Sequence, residues 1–564
     1  MLGFRKVTVI VTQLALVAAF ALAPAGAKTN GDRERINAQE MKEWLTYLSS
    51  DEFEGRATFT EGLGLAAGYM AGLLKSWGVK PGGPNGSYFQ RVAVLGVKSD
   101  NRSTVTVEAN GQTRTFKNKE GISFPANSGG KRAFTADQIE FLGYGLNAPA
   151  INHNDFAGKQ VKGKVVVYLG GSGPKGLGPQ YRRALTSRSR FATEQSGAIA
   201  TIGPGGGFAG GRGGNQTTAP GQLPAPDFTT AQRLDNVIAP AVSASDEFFE
   251  FLLSSSDVRY AELKEKASSG EPLPTFTLKN VKLTFNIDAD YTVVRTQYTR
   301  NVIGIIEGSD AKLKETYVAY GSHYDHVGYS EGEVAQSENG ARRLQPRGRV
   351  TAGAEHDRVW NGADDDGSGT VAMLAIAKAF AVGKKPRRSI LLVWHSGEER
   401  GLWGSRYFVD YPTVPLDKIV AEINMDMVGR NRDNKEEEAN KVYVVGSDRI
   451  STEFHNITVE ANDALSKPLA LDYEMNDPTD LEQIYYRSDH YSYAAKGIPV
   501  VFLTTGLHPD YHANTDHADK INYEKMTRIS QYAYEIGART ANFERAPARD
   551  NLGPRAGRGS SGKL

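Results

Sequence analysis

The sequence predicts an α/β protein: a mixed open sheet with helices on both faces, carrying a smaller, mainly β insert. Three observations lead there. From Asn301 onward, runs of buried-strand character alternate with helical stretches, the pattern of a sheet covered on both faces. Between about 133 and 272, short strands and turns replace that rhythm. Several stretches rich in carboxylates and imidazoles then sit just past the carboxyl ends of strands, where an open α/β sheet builds its site.

Arg5 and Lys6 precede an apolar run from Val7 to Leu22, followed by Pro24-Ala-Gly-Ala27, small residues where a signal peptidase cuts. Thr8, Thr12 and Gln13 interrupt the run, which is short for a membrane span. Segment 1–27 is therefore expected to be a signal peptide, cleaved near Ala27, and the protein to be exported to the periplasm or beyond. Asn37-Ala-Gln-Glu40 reads as a capping box, and Met41, Trp44, Leu45 and Leu48 follow at helical spacing, predicting a helix over 38–49. A second helical pattern runs from Gly62 to Trp77, and Thr104-Val-Thr-Val-Glu108 alternates like a strand.

Within 133–272, Ile139 to Gly145, Val161 to Tyr168 and Gly197 to Thr201 read as strands, with a short helix from Ser245 to Ser254. This block resembles the protease-associated domain. Its glycine loop 203–214 lacks the Gly-Lys-Ser/Thr ending of a phosphate loop and reads as a surface insertion. Beyond it, Val302 to Ile306, Tyr317 to Tyr320, Ser389 to Trp394, Ile419 to Met425, Val442 to Val445 and Pro499 to Leu503 are strand candidates. Thr370 to Ala381 and Tyr523 to Asn542 are helices between and after them. The main domain is thus discontinuous, 30–132 plus 273–545, and the Gly- and Arg-rich tail 546–564 is expected to be disordered.

The composition narrows the function classes. Lys plus Arg number 66 against 65 Asp plus Glu, a balance that offers no argument for nucleic acid, and neither a nucleic-acid partner nor a stable membrane anchor is expected. The expected partners are peptides or small protein substrates of a monomer. The absence of cysteine excludes thiolate metal sites and a disulfide framework.

The chemistry lies in His323-Tyr-Asp325, Ala363-Asp-Asp365-Asp-Gly-Ser, Ser396-Gly-Glu398-Glu399, Asn424-Met-Asp426-Met and Tyr511-His512. Together they offer two imidazoles and three carboxylates, a nitrogen and oxygen set suited to a pair of zinc ions open to water. Such a pair acidifies water and polarises a carbonyl, the requirement for amide hydrolysis near neutral pH. Each stretch alone has a plain explanation: Asp365 could cap the helix near Gly367, and Glu398 with Glu399 could be a turn.

Asp357 to Gly369, Trp394 to Ser405 and His512 to Ile521 resemble the family of two-zinc aminopeptidases with the phosphorylase/hydrolase-like fold. The resemblance implies Asp365 as the carboxylate shared by both metals, His323 and Asp426 completing one and Glu399 and His512 the other. It implies Glu398 as general base, Asp325 as acceptor of the second ring proton of His323, Asp516 in a like role near His512, and a cis peptide between Asp365 and Asp366. His326, His395, His490 and His517 are not ligands on this reading. Arg487-Ser-Asp-His490 resembles a stretch lining the family's substrate pocket. The expected function is an exported metallo-aminopeptidase. Two alternatives stand beside it: a carboxypeptidase of the same superfamily, with Arg430 or Arg432 holding a terminal carboxylate, and an inactive receptor-like protein, which would have lost ligands that are present here.

Overall fold

The computed structural model describes residues 30–205, 224–331 and 348–550; segment 1–27, expected to be a signal peptide, most of the glycine loop and the tail beyond 550 lie outside these residues. Two ten-stranded sheets organise the described residues. The first is mixed. Its centre is parallel, with Ser389–His395, Tyr317–His323, Ile419–Met425 and Val500–Thr504 side by side. Antiparallel partners flank it, Ala289–Ile306 against Ser389–His395 and Lys441–Val445 against Val500–Thr504. Every residue of Ser389–His395 and Ile419–Met425 is buried, as expected of strands covered on both faces.

The helices form where the sequence places caps and apolar spacing. Asn37 caps Ala38–Leu48 through the amide of Glu40, and Thr60 caps Glu61–Ser76 through that of Leu63. Gly369–Val382 is buried along nearly its whole length, and Tyr523–Asn542 packs beside it. Arg56 ties this layer to the loops above the sheet: its guanidinium donates to the carbonyls of Leu48, Tyr324, Asn361 and Gly362 at 2.7–3.0 Å.

The second sheet has its own apolar core, including Phe141, Val165, Ile202, Phe248 and Phe285. It extends beyond the expected 133–272 segment on both sides, taking in Thr104–Ala109, Gln112–Asn118 and Gly121–Ser123 before it and Thr275–Leu278 and Val281–Ile287 after it. Conversely, Phe228–Thr230, inside that segment, pairs with Phe89–Asn101 of the first sheet. Alternation of side chains identifies a strand but not its partner, so sequence could not assign these edges.

Candidate active site

The chain turns brought together here all leave the same end of the parallel strands. His323 is the last residue of its strand, Glu398 and Glu399 lie in the turn after Ser389–His395, and Asp426 directly follows Ile419–Met425. His512 comes from the loop after Val500–Thr504, with a backbone φ of 55°.

The three consecutive aspartates divide their work. Asp364 accepts from the amide of Gly429 at 2.7 Å and lies 3.1 Å from His508 Nε2. Asp366 accepts from the amides of Gly369 at 2.9 Å and Met427 at 3.1 Å, so the carboxylate that meets the first amide of the helix is that of Asp366 and not Asp365. Asp365 remains. It is buried and takes no backbone amide or cap of the helix, and the Asp365–Asp366 peptide is cis.

Around Asp365 two groups converge. On one side, His323 Nε2 lies 3.4 Å from Asp365 Oδ1 and 3.6 Å from Asp426 Oδ2. On the other, His512 Nε2 lies 3.0 Å from both Asp365 Oδ2 and Glu399 Oε2. The first trio presents ligand atoms close enough to share one cation, and a second such trio joins Asp365 to Glu399 and His326. Buried carboxylates gathered this closely around Asp365, with only imidazoles to balance them, are costly by themselves, and His323, Asp365, Asp426, Glu399 and His512 would suit divalent cations.

The charge balance fits this arrangement. Burial opposes charge on His512, but Glu399 and Asp365 outweigh it and raise the ring to about 11. Burial also works to raise Glu399, yet His512 and His326 hold it down at about 2. Glu398 differs: burial pushes its carboxyl well above the usual range, the attraction of His323 opposes this, and Glu399 and Asp426 add to the rise. Its Oε2 stands 4.0 Å from His323 Nε2.

Three details depart from the sequence reading. His323 Nδ1 meets the backbone carbonyl of Asp325 at 3.0 Å, whereas the Asp325 carboxylate, 3.8 Å away, accepts from the amides of Gly397 and Glu398. Asp325 thereby holds the turn that carries Glu398. Asp516 supports Asp365 and not His512, accepting from the amides of Asp364 and Asp365 at 2.9 and 3.1 Å. His326, set aside in the sequence reading, stands 2.9 Å from Glu399 Oε1. Its only sequence signal was its place three residues after His323; the fold delivers it through the amide of His326, which donates to Arg56. His395 and His490 are buried elsewhere, both pushed down to about 3 by burial, and His517 pairs with Asp357.

A narrow pocket opens over the cluster. Asp365, Glu398, Asp426 and His512 form its polar floor, and Met475, Ile484, Phe502 and Leu507 its apolar wall, with Arg487 and Tyr511 at the side. Neither arginine of the carboxypeptidase alternative lines it. Arg430 is engaged with Asp510 at 2.9 Å, and Arg432 with Glu474.

Residues 301–536 match the model of peptidase family M28. All five positions of the cluster and Glu398 fall inside this stretch. The chain is similar to leupeptin-inactivating enzyme 1 of Streptomyces exfoliatus, 32% identical over 31% of this chain and 36% of that protein. It is also similar to a probable leucine aminopeptidase of Trichophyton verrucosum, 25% identical over 43% of this chain and 58% of that one. The chain thus spans between about a third and six-tenths of the length of these relatives. Among solved structures it is similar to an aminopeptidase from Aneurinibacillus sp. strain AM-1, with 19% identity, coverage of 92% and 96% and a TM-score of 0.42. Another is BSAP, a zinc aminopeptidase from Bacillus subtilis, with 18% identity, coverage of 92% and 97% and a TM-score of 0.42. Among the described residues no helix is long and apolar enough to cross a membrane.

Proposed function

We propose that the protein is a zinc-dependent aminopeptidase that removes N-terminal residues from peptides. The observation that carries this reading is Asp365, buried between the His323 and Asp426 pair on one side and the Glu399 and His512 pair on the other, with Glu398 on the pocket floor beside them. When bound there, two zinc ions would supply Lewis acidity and a more acidic water.

The chain's own groups do the rest. Glu398 takes the proton from the attacking water and returns it to the leaving amine, a role suited to a carboxyl whose burial raises its proton affinity. Asp325, bonded to the amides of Gly397 and Glu398, fixes the turn from which Glu398 acts. The carboxylates of the floor attract a free α-ammonium, and the wall of Met475, Ile484, Phe502 and Leu507 suits an apolar first side chain. The relatives named for leucine aminopeptidase activity agree with that preference.

The carboxypeptidase reading loses its proposed anchors, since Arg430 and Arg432 are held by other carboxylates. A screen of free and N-acetylated leucyl peptides, with and without a chelator, tests the choice. Turnover of the free peptides alone, abolished by the chelator, is the expected result; cleavage of an acetylated peptide at its carboxyl end would reverse it. Export fits the leader 1–27, and the N-terminus of the secreted protein is then expected at Lys28.

A further inference from the structure

Building on the aminopeptidase reading, we propose that a second cavity, adjoining the active-site pocket, receives the downstream part of the peptide and selects for a carboxylate there. This cavity measures about 930 Å³, within the usual range for ligand sites. The helical segment around Arg183 to Glu194 forms one side, and Gln483 and Arg487 face it from the peptidase domain. Arg487 lines both spaces, so a chain leaving the metal cluster past its guanidinium enters the second one.

The charge of this cavity is unbalanced. Four arginines, Arg183, Arg188, Arg190 and Arg487, line it against two carboxylates, Glu194 and Asp227. Both carboxylates are engaged: Glu194 accepts from the Tyr491 hydroxyl, and Asp227 pairs with Lys98 at 2.9 Å. Arg188 is structural, buried and donating to the carbonyls of Tyr144, Leu169 and Gly170. Arg183 and Arg190 are exposed. Arg190 lies 5.4 Å from the centre of the Tyr486 ring, and among the described residues no carboxylate pairs with it.

Arg183 and Arg487 both reach Glu482, at 3.3 and 2.9 Å, and that carboxylate is 50% exposed. Two guanidinium groups from opposite walls therefore share one solvent-facing carboxylate, an arrangement that a peptide carboxylate can join or displace through paired N–H donors. Contact between the walls does not require this excess of charge. Ser187 Oγ already donates to Gln483 Oε1 at 2.7 Å, and Tyr491 to Glu194, while Arg190 adds no polar bridge.

Steady-state kinetics of the zinc-loaded full-length enzyme test the proposal with Leu-Gly-Gly, its C-terminal amide, Leu-Gly-Asp amide and Leu-Gly-Lys amide, beside leucine p-nitroanilide. A carboxylate is expected to raise kcat/KM roughly five- to tenfold over the neutral amide at low salt, through KM, and to lose that gain in 1 M salt, an ionic strength that screens beyond about 3 Å. A gain confined to Leu-Gly-Gly assigns the cavity to the peptide's end, and one confined to Leu-Gly-Asp amide assigns it to an acidic side chain. Arg190→Glu, and independently Arg183→Glu, should shift preference toward Leu-Gly-Lys amide, a change that mere loss of packing would not produce. Equal kcat/KM across the peptides in the wild type, with the anilide still cleaved, overturns the carboxylate subsite alone. Failure of the wild type on every free-amino substrate overturns this proposal together with the aminopeptidase reading.

Discussion

The two halves of the Asp365 cluster are built from different material. The His323 and Asp426 half sits at the ends of two adjacent parallel strands, and its side chains are 1% and 12% exposed. The Glu399 and His512 half comes from a turn and a loop; His512 is 28% exposed, and a second imidazole, His326, stands behind Glu399. Strand ends inherit their position from ladder hydrogen bonds, whereas a loop residue depends on side-chain contacts. The first half should therefore hold its geometry unaided, while the second can adjust.

The substitution with the largest expected effect removes what the halves share. Asp365→Asn weakens a ligand on both sides, so turnover should fall below detection and bound zinc should drop from two per chain. Metal analysis of the purified variant checks this. Two zinc ions retained at full occupancy would mean that Asp365 does not bridge them.

Glu398→Gln should leave both halves loaded and cut kcat by roughly 100-fold, the usual scale for a lost general base. The informative measurement pairs zinc content with rate. If zinc is lost along with activity, Glu398 is a ligand and the division of labour with Glu399 is wrong.

How far this contrast could be seen in advance differs between the halves. The places of His323 and Asp426 at strand ends were legible from the buried apolar runs before them, whereas their pairing at one metal came from family resemblance. The choice of Asp365 among three aspartates came from family resemblance, and the structure supplies the physical reason: its two neighbours are engaged by Gly429, Gly369 and Met427. The supports were not legible. Asp516 reaches back to the amides of Asp364 and Asp365 across about 150 residues, and His326 is brought in by pairing with the chain at Arg56 and Ala57. Contacts at such separations leave no periodic trace. The same limit hid the partners of the strands at 104–123 and 275–287, although alternation had already marked Thr104 to Glu108 as extended.

Arg430 lies behind the more adjustable half. Its guanidinium joins Asp510 at 2.9 Å and faces Asp516 at 3.9 Å, with a side chain only 6% exposed. Arg430→Ala should cost about 1–3 kcal/mol of stability by removing one buried partner of Asp510, which keeps Thr515 and Lys520, with little change in KM for a small amide. The pH dependence carries a sign. Burial acts to raise Asp510, but Lys520, Thr515 and Arg430 outweigh it and hold its carboxyl below the usual range. A depressed carboxyl contributes fully above its unfolded pKa of about 3.9 and loses that contribution as pH falls through the folded value. The variant's deficit in denaturant melts should accordingly be greatest near neutrality and shrink toward about pH 3. A deficit that grew with acid would place the stabilisation in another group.

The smallest expected effect falls on His326. Its Nδ1 is 2.9 Å from Glu399 Oε1 but 3.9 Å from Asp365 Oδ2, whereas His512 Nε2 is 3.0 Å from both carboxylates. Those distances favour His512 as the ligand and His326 as the residue that orients Glu399. Losing an orienting group of this kind typically weakens metal affinity by about 10- to 100-fold without abolishing it. His326→Ala should therefore fall near the lower end, about 10-fold, and only for the metal of the adjustable half. His512→Ala should remove that metal outright. Chelator competition resolves the two metals if they are released in separate steps, and the His323 step should be the same in both variants. If His326→Ala instead empties the second position while His512→Ala merely weakens it, the two imidazoles exchange roles, and the ligand nearer the strand ends proves to be the one the sequence reading set aside.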